Sequence, residues 1–111
     1  MQGFIQVMSV VALAGEPDQE AIIAEARYVK DDQSAYGEVA FIVAEKYQGR
    51  GIATYLYKML IRLAKERGLK GFTAEVLQAN KEMMSVFEKG HLPIDARLQD
   101  GLYRLTIPFD A

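Results

Sequence analysis

The sequence has 111 residues, half of them apolar and a quarter charged, which excludes a disordered chain and predicts one domain with a modest core. A formal net charge of -2 gives no reason to expect nucleic-acid binding, and the lack of cysteine excludes a disulfide framework, a thiolate nucleophile and a Cys-ligated metal. No apolar run approaches the roughly 18 residues of a membrane span, so we expect a soluble, cytoplasmic protein.

The first part of the chain predicts three strands. Residues 4–13 are apolar and β-branched until a turn containing glycine and proline breaks the run. The strand pattern resumes at residues 21–29 and, after a polar turn, at residues 36–43, where apolar and other residues alternate. Because short turns connect these strands, we expect them to pair antiparallel.

A long amphipathic helix follows the third predicted strand. From Ile52 to Ala64 the apolar positions have helical spacing, and Gly68 supplies the left-handed residue that ends a helix. Residues 71–77 alternate again and form the fourth strand. A helical crossover from the third strand predicts that this strand runs parallel to it.

The last part of the chain predicts a short helix and a hairpin. Asn80 is a good N-cap for a helix over residues 81–89, which Gly90 closes. Residues 93–98 and 102–109 form two strands around the turn at 99–101. The predicted fold is therefore α+β (α/β), with a mixed, mostly antiparallel sheet, the order β-β-β-α-β-α-β-β and a single domain over residues 1–111.

The loop between the third strand and the long helix has the composition of an anion site. Residues 48–53 read QGRGIA, and the first N–H groups of a helix lack internal partners and carry partial positive charge. No Asp or Glu occurs from residue 48 to 65, Lys46 and Arg50 add cations, and glycine lets a phosphate approach the main chain. An ordinary tight strand-to-helix turn explains the same spacing. Thr54 at the third glycine position excludes the dinucleotide fingerprint.

This loop resembles motif A of the GNAT superfamily of acyl-CoA-dependent N-acyltransferases. The motif, [QR]-x-x-G-x-[GA], is matched by Gln48, Gly51 and Ala53. The stretches EVAFIV, YQGRGIAT and GFTAEVLQANKEMMSVFEK are similar to the acyltransferase domain of bacterial protein-lysine acetyltransferases fused to acyl-CoA synthetase-like modules. The predicted order of elements is that of the GNAT core from its second strand onward, so the resemblance covers nearly the whole chain.

The predicted order lacks the family's usual first strand and first helices, which wall the acceptor-amine site. A second copy of the chain, another domain or nothing would supply these walls. Uncovered apolar surface on one sheet face and an uncovered strand edge would favour a homodimer. We therefore expect an N-terminally short GNAT-like domain.

The resemblance implies acetyl-CoA (CoA) as cosubstrate and no metal. In the GNAT fold two parallel neighbouring strands splay apart, the pantetheine arm pairs with the first of them, and the pyrophosphate sits on the loop amides. Asn80 would face the thioester end, although a helix cap explains this residue equally well. The predicted donor-binding residues are Phe41, Ile42, Val43 and Ala44 on the strand, Gln48, Gly49, Arg50, Gly51, Ile52, Ala53 and Thr54 in the loop and helix start, and Asn80.

The resemblance also implies direct attack of an amine on the thioester. A backbone N–H near Val43 would stabilise the carbonyl oxyanion. Glu38 is the predicted base, because alternation places it on one face with Ala40 and Ile42, and a glutamate at this strand position is the base in the resembling lysine acetyltransferases. The alternative for Glu38 is a solvated strand residue.

The sequence leaves several alternatives for the group that protonates the leaving thiolate. Many GNAT members carry a tyrosine in the second helix that protonates the leaving thiolate, and the matching residue here is Phe87, which cannot donate a proton. Water, Tyr103 or Tyr36 would replace it, although a tyrosine is more often a core residue. His91 stands where relatives tend to carry glycine and is more often a capping or surface residue than a catalyst.

Two functions from different classes fit these features. The first is an N-acetyltransferase that transfers acetyl from acetyl-CoA to an amine, either a protein lysine or a small amine. The second is an acyl-CoA sensor or regulatory module without acceptor turnover, which Phe87 and the missing front elements favour. A purely structural domain would leave the glycine loop unexplained. The expected partners are acyl-CoA and an amine acceptor, and neither nucleic acid nor a membrane.

Overall fold

The structure is a computed structural model that describes residues 3–110, and its elements follow the predicted order. The strands are β1 Ile5–Ala14, β2 Ala21–Asp31, β3 Tyr36–Val43, β4 Gly71–Leu77, β5 Asp95–Gln99 and β6 Leu102–Pro108. The helices are α1 Ile52–Glu66 and α2 Lys81–Glu88, and a short 3-10 turn, Glu45–Tyr47, precedes the glycine loop. None of the helices in the described range is both long and apolar enough to cross a membrane.

The six strands form one mixed sheet in the order β1-β2-β3-β4-β6-β5. All neighbours are antiparallel except β3 and β4, which are parallel, as the helical crossover predicts. This parallel pairing is short: it joins Tyr36 to Gly71, Gly37 to Phe72 and Glu38 to Thr73 and then stops. Because β3 stays paired with β2 as far as Val43, β3 and β4 separate beyond Glu38. The predicted α+β fold and the splay of the two strands are therefore confirmed.

Both helices pack on the same face of the sheet. The buried side of α1 meets Ala24 and Ala26 on β2, whose small side chains let the helix approach closely. Phe87 of α2 packs edge-to-face on Tyr57 of α1 with ring centroids 5.1 Å apart, and Phe41 of β3 contacts both rings. This aromatic cluster connects β3 to both helices beside the splay.

The opposite face of β1, β2 and β3 is exposed and mainly apolar, as the sequence predicts. Side chains that are paired across the strands form rows on this face. Leu13 lies opposite Ile22, Val11 lies opposite Glu25, which in turn lies opposite Ile42, and Val7 lies opposite Val29. We call this surface the open face. Its exposed apolar members are Ile5, Val7, Val11, Leu13, Ile22, Val29, Ala40 and Ile42.

The predicted boundaries need small corrections. β2 continues two residues beyond residue 29, because Asp31 still pairs with Ile5 across the sheet. β5 starts at Asp95 rather than residue 93, since Pro93 has no N–H to donate to a sheet ladder. The hairpin turn is formed by Asp100 and Gly101, both left-handed with φ of 53° and 77°, as a two-residue turn requires.

The end of α2 also differs from the prediction. The helix ends at Glu88 with Lys89 as its cap, and Gly90 does not take the left-handed conformation. Gly90 is needed for space, because a Cβ there would lie 2.7 Å from the Tyr57 ring. The left-handed residue is His91, with φ of 57°. This conformation strains a non-glycine residue, which fits the expectation that relatives carry glycine there.

The hydroxyl of Tyr57 is an orphan in the core. The side chain is fully buried, and its oxygen has no hydrogen-bond partner among the described residues. Burial raises the pKa of Tyr57 above its ordinary value. A buried hydroxyl without a partner costs about 1–3 kcal/mol of stability.

Replacing Tyr57 with phenylalanine should therefore raise the free energy of unfolding by about 1 kcal/mol at neutral pH. Because the folded state keeps a proton that the unfolded state releases near about pH 10, wild-type stability should fall as the pH rises above that value. The variant should lose less stability over the same range. Urea denaturation at pH 7 and at about pH 10.5 tests both effects.

The matched control is Tyr55→Phe, because Tyr55 lies on the same helix and is 67% exposed. This variant should unfold at the wild-type urea concentration at both pH values. If Tyr57→Phe is less stable than wild type at pH 7, the hydroxyl has a hydrogen-bond partner, which contradicts the prediction.

Candidate functional site

A cleft of about 680 Å³ lies beside the free edge of β3, and its other walls are the glycine loop, the start of α1 and one side of α2. Most of the predicted donor-binding residues meet here. Those that line the cleft are Phe41, Ile42, Val43, Gln48, Gly49, Gly51, Ile52, Ala53, Thr54 and Asn80. Residues that the sequence reasoning did not name also line it, notably Tyr47 and the cleft side of α2 through Met83 and Val86.

Two predicted donor-binding residues lie outside the cleft wall. The N–H of Ala44 donates to the carbonyl of Ile23 on β2 over 2.8 Å, so it is not available to a ligand. The edge of β3 that faces the cleft therefore ends at Val43. Arg50 points its guanidinium over the Tyr47 ring, 5.4 Å from the ring centroid, and lies beside the loop. Because Tyr47 itself lines the cleft, the cation stays near the mouth of the cleft.

The glycine loop presents unpaired N–H groups. Gly49 and Gly51 are both left-handed, with φ of 78° and 79°, and Gly51 caps α1 without any side-chain hydrogen bond. Within residues 3–110, no protein acceptor receives the N–H groups of residues 49–54, and the first turn of α1 has no acidic residue. A Cβ on either glycine would meet no atom within 4 Å. The loop therefore encloses open space, and its unpaired donors suit the pyrophosphate of a nucleotide.

The row of unpaired N–H groups, which we call the cradle, starts at Gly49, one residue after Gln48, the first of the predicted loop residues. The N–H of Gln48 donates to the carbonyl of Glu45 over 3.2 Å, so Gly49 is the first residue with an unpaired donor. The Gln48 side chain has another role, since its Nε2 donates to the carbonyl of Val43 over 3.1 Å. Gln48 thus ties the loop to the splayed end of β3. The sequence motif indicated this glutamine but not the bond that it makes.

Alternation along β3 decides which backbone groups face the cleft. Because the N–H of Ala44 points to β2, the backbone groups of Val43 and of Phe41 point the other way, toward the gap left by β4. The carbonyl of Val43 already accepts from Gln48, and its N–H remains directed into the cleft. The cleft edge of β3 can therefore pair with an extended ligand as an added strand would.

Glu38 lies at the closed end of the splay. It forms the last parallel pair, with Thr73, and its exposed side chain projects from the open face together with Ala40 and Ile42. Glu38 does not line the cleft, which lies beyond the point where the strands part. Glu38 thus belongs to the open face, whereas the cleft lies beside the helices.

The predicted oxyanion donor, a backbone N–H near Val43, has two candidates on the cleft edge of β3. Five residues of extended strand place Glu38 and Val43 roughly 16 Å apart. The N–H of Phe41 has the same orientation as that of Val43 and lies three residues from Glu38, roughly 10 Å along the strand. The donor role stays a prediction, and of the two N–H groups that of Phe41 is nearer to Glu38.

Asn80 has the geometry of a cap. Its side-chain oxygen accepts from the N–H of Met83 over 3.1 Å, and the residue also lines the cleft. This cap explains why asparagine stands at the start of α2. The NH2 group of the Asn80 side chain remains available to a ligand.

The candidate acids lie away from the cleft. Phe87 is buried against Phe41 and Tyr57 and offers no polar atom. Tyr36, Tyr103 and His91 do not line the cleft, so the structure brings none of them to the donor site. Water is the proton source that remains from the predicted alternatives.

The splayed mixed sheet, the helix with an open N-terminus and the glycine loop together define a GNAT-type domain. Residues 7–91 match the model of the Acetyltransferase (GNAT) family, and the chain belongs to this family. The match runs from within β1 to just beyond α2 and therefore contains the whole cleft.

Several known proteins resemble the chain. It is 38% identical over 87 residues to acetyltransferase Pat from Mycolicibacterium smegmatis, a match covering 78% of this chain and 24% of that protein. The chain thus spans about a quarter of this curated relative. The crystal structure of the GNAT domain of S. lividans PAT superposes with a TM-score of 0.77 and 32% identity, covering 93% of this chain and 61% of that chain.

A more distant neighbour shares the fold alone. Spermidine N-acetyltransferase from Vibrio cholerae, solved in complex with CoA and spermine, superposes with a TM-score of 0.69 and 17% identity. The superposition covers 81% of this chain and 60% of that chain. The resemblance to bacterial protein acetyltransferases expected from the sequence is confirmed by the closer relatives.

Proposed function

We propose that this chain is the catalytic domain of an N-acetyltransferase that transfers acetyl from acetyl-CoA to an amine. The observation that carries the proposal is the set of unpaired N–H groups at residues 49–54, next to a cleft whose other wall is the free edge of β3. Phosphate groups bind at such a helix start, and an arm that contains amide groups can pair with such a strand edge. Membership of the GNAT family and the CoA complex of the spermidine enzyme support the choice of CoA.

The residues of this chain have distinct roles in the proposed reaction. Glu38 takes the proton from the attacking ammonium, directly or through one water molecule. The N–H of Phe41 stabilises the negative charge that develops on the carbonyl oxygen. The side chain of Gln48 holds the glycine loop against the end of β3. Water protonates the leaving thiolate, because Phe87 cannot donate a proton.

A protein lysine is the acceptor that we propose first. The sequence resembles protein-lysine acetyltransferases, and the relative with the highest identity quoted above is acetyltransferase Pat. The exposed position of Glu38 on a sheet face also suits an amine on a large substrate, since a protruding lysine can reach it without entering a deep pocket. We further propose a cytoplasmic location, which rests on the lack of cysteine.

An acyl-CoA sensor without acceptor turnover is the second candidate. Two observations favour it: Phe87 replaces the family's proton donor, and the walls of the acceptor site are not formed by the described residues. The sensor would keep the donor cleft and lose only the transfer step.

Calorimetry with CoA tests the donor site common to both functions. We expect a dissociation constant below about 1 mM, together with CoA carried through purification and detectable by mass spectrometry. No heat of binding at millimolar CoA would contradict both functions. Thiol release from acetyl-CoA with lysine peptides and small amines then separates them, because only the transferase releases CoA in an amine-dependent way.

A further inference from the structure

The centre of the open face carries two charges surrounded by apolar side chains. Glu25 and Arg27 project from β2, with Val11 and Ser9 beside them on β1 and Ile42 and Ala40 on β3. Glu25 is half-buried and accepts a hydrogen bond of 2.6 Å from the Ser9 hydroxyl. No carboxylate in residues 3–110 forms an ion pair with Arg27. The face thus combines an unpaired cation with an apolar surround.

The apolar area is large enough for a stable contact. The exposed apolar members of the open face present roughly 700 Å², compared with roughly 300–600 Å² for the largest patch on a typical monomer. A standard interface buries roughly 800 Å² on each partner. The open face therefore has the size of one half of a protein–protein interface.

The arrangement of side chains on the open face is self-complementary. Consider two copies stacked face to face about a two-fold axis that lies between the sheets, crosses the strands and passes level with Ala26. Each Glu25 then faces the other copy's Arg27, so two ion pairs form across the axis. An axis parallel to the strands would instead set Glu25 against Glu25 and Arg27 against Arg27, which is repulsive.

The same axis matches the apolar residues. Rows equally far from Ala26 on either side face one another, so Leu13 meets Val7 and Ile22 meets Val29 of the other copy. Ile42 likewise meets Ala40. Sheets pack in this way about 10 Å apart with an angle near 30° between their strands.

We infer that the open face of β1, β2 and β3 binds a second copy of this chain, with Glu25 of each copy paired to Arg27 of the other. Glu38 lies in the row of Val7 and Val29, at the margin of this contact. The second copy therefore forms a wall beside Glu38, on a side where the described residues of one chain form none. This last step rests on the proposed function, whereas the contact itself does not.

A charge-reversal series tests the contact in the full chain. Sedimentation velocity should give wild type a mass twice that of the 12.4 kDa chain at micromolar concentration. Arg27→Glu and Glu25→Arg should each weaken dimerisation at least tenfold, because each sets like charges face to face. The double variant restores the opposite-charge pairs and should dimerise within about threefold of wild type.

Arg97→Glu is the matched control, since Arg97 is an exposed arginine on β5, on the same side of the sheet but outside the contact. It should dimerise as wild type does. An interface of this size should have a dissociation constant of roughly a micromolar. A wild type that is still monomeric at 200 µM therefore overturns the inference. Single reversals that dimerise as tightly as wild type, or a double variant no tighter than the singles, also overturn it.

Two further readouts keep this inference separate from the proposed function. The single-reversal variants should retain the wild-type circular dichroism spectrum and the wild-type affinity for CoA, because Glu25 and Arg27 do not line the cleft and the unpaired N–H groups of residues 49–54 lie beside the helices. Loss of dimerisation with retained CoA binding is therefore the expected result. For the wall beside Glu38, amine-dependent turnover per chain should rise with wild-type concentration and stay low in both single variants, and a concentration-independent turnover contradicts that step.

Discussion

Replacing Glu38 with glutamine should lower amine-dependent turnover by about a hundredfold to ten-thousandfold, the usual contribution of a general base. Glutamine keeps the size and polarity of the side chain but cannot accept a proton from the attacking ammonium. Because Glu38 does not line the donor cleft, the affinity for CoA should not change. Initial rates of thiol release at saturating acetyl-CoA, with calorimetry of CoA in parallel, measure both quantities.

Glu75→Gln is the matched control for this substitution. Glu75 is an exposed glutamate on the neighbouring strand β4 and forms an ion pair of 3.5 Å with Arg104. It should turn over at the wild-type rate. If Glu38→Gln is as active as wild type, Glu38 is a solvated strand residue and the base lies elsewhere. A loss that raises the CoA dissociation constant equally would instead assign Glu38 to donor binding.

Replacing Gly51 with alanine should weaken CoA binding at least tenfold. The substitution adds a Cβ to the N-cap residue of α1, next to the unpaired N–H groups, at a point where no protein atom lies within 4 Å. It also strains the backbone, because φ of 79° is left-handed and costs a residue with a Cβ about 1–2 kcal/mol. Calorimetry with CoA at a temperature where the variant remains folded measures the affinity.

Gly101→Ala separates the strain from the ligand contact. Gly101 has φ of 77°, and a Cβ there would also meet no atom within 4 Å, but it lies in the β5–β6 hairpin away from the cleft. The two variants should lose similar free energies of unfolding, and only Gly51→Ala should lose affinity. Equal affinities for CoA in both variants would show that the cradle does not hold the phosphates.

The elements around the site could be predicted closely from local pattern. The bounds of β3 and β4 agree with the sequence analysis to the residue, because both strands are rich in β-branched and aromatic residues with a two-residue alternation. The helix-ending position of Gly68 was equally clear, since its left-handed conformation needs no tertiary partner. The strand bounds near Asp31 and Pro93 could be predicted less closely. Sheet pairing rather than hydropathy decides where β2 ends and where β5 starts.

The details of the site depend on contacts that the sequence does not encode locally. The bond from Gln48 to Val43 and the burial of Tyr57 both depend on how separate elements meet. The length of the β3–β4 ladder is of the same kind. It decides which N–H faces the cleft near Glu38, and no periodicity in the sequence predicts where a parallel pairing stops.

The shortness of that ladder has a geometric consequence. Three residue pairs join β3 to β4 at one end only, so the gap between the half-sheets β1-β2-β3 and β4-β6-β5 is a wedge that widens from Glu38 toward Val43. A ligand that pairs with the edge of β3 therefore has the least room next to Glu38 and the most room near Val43.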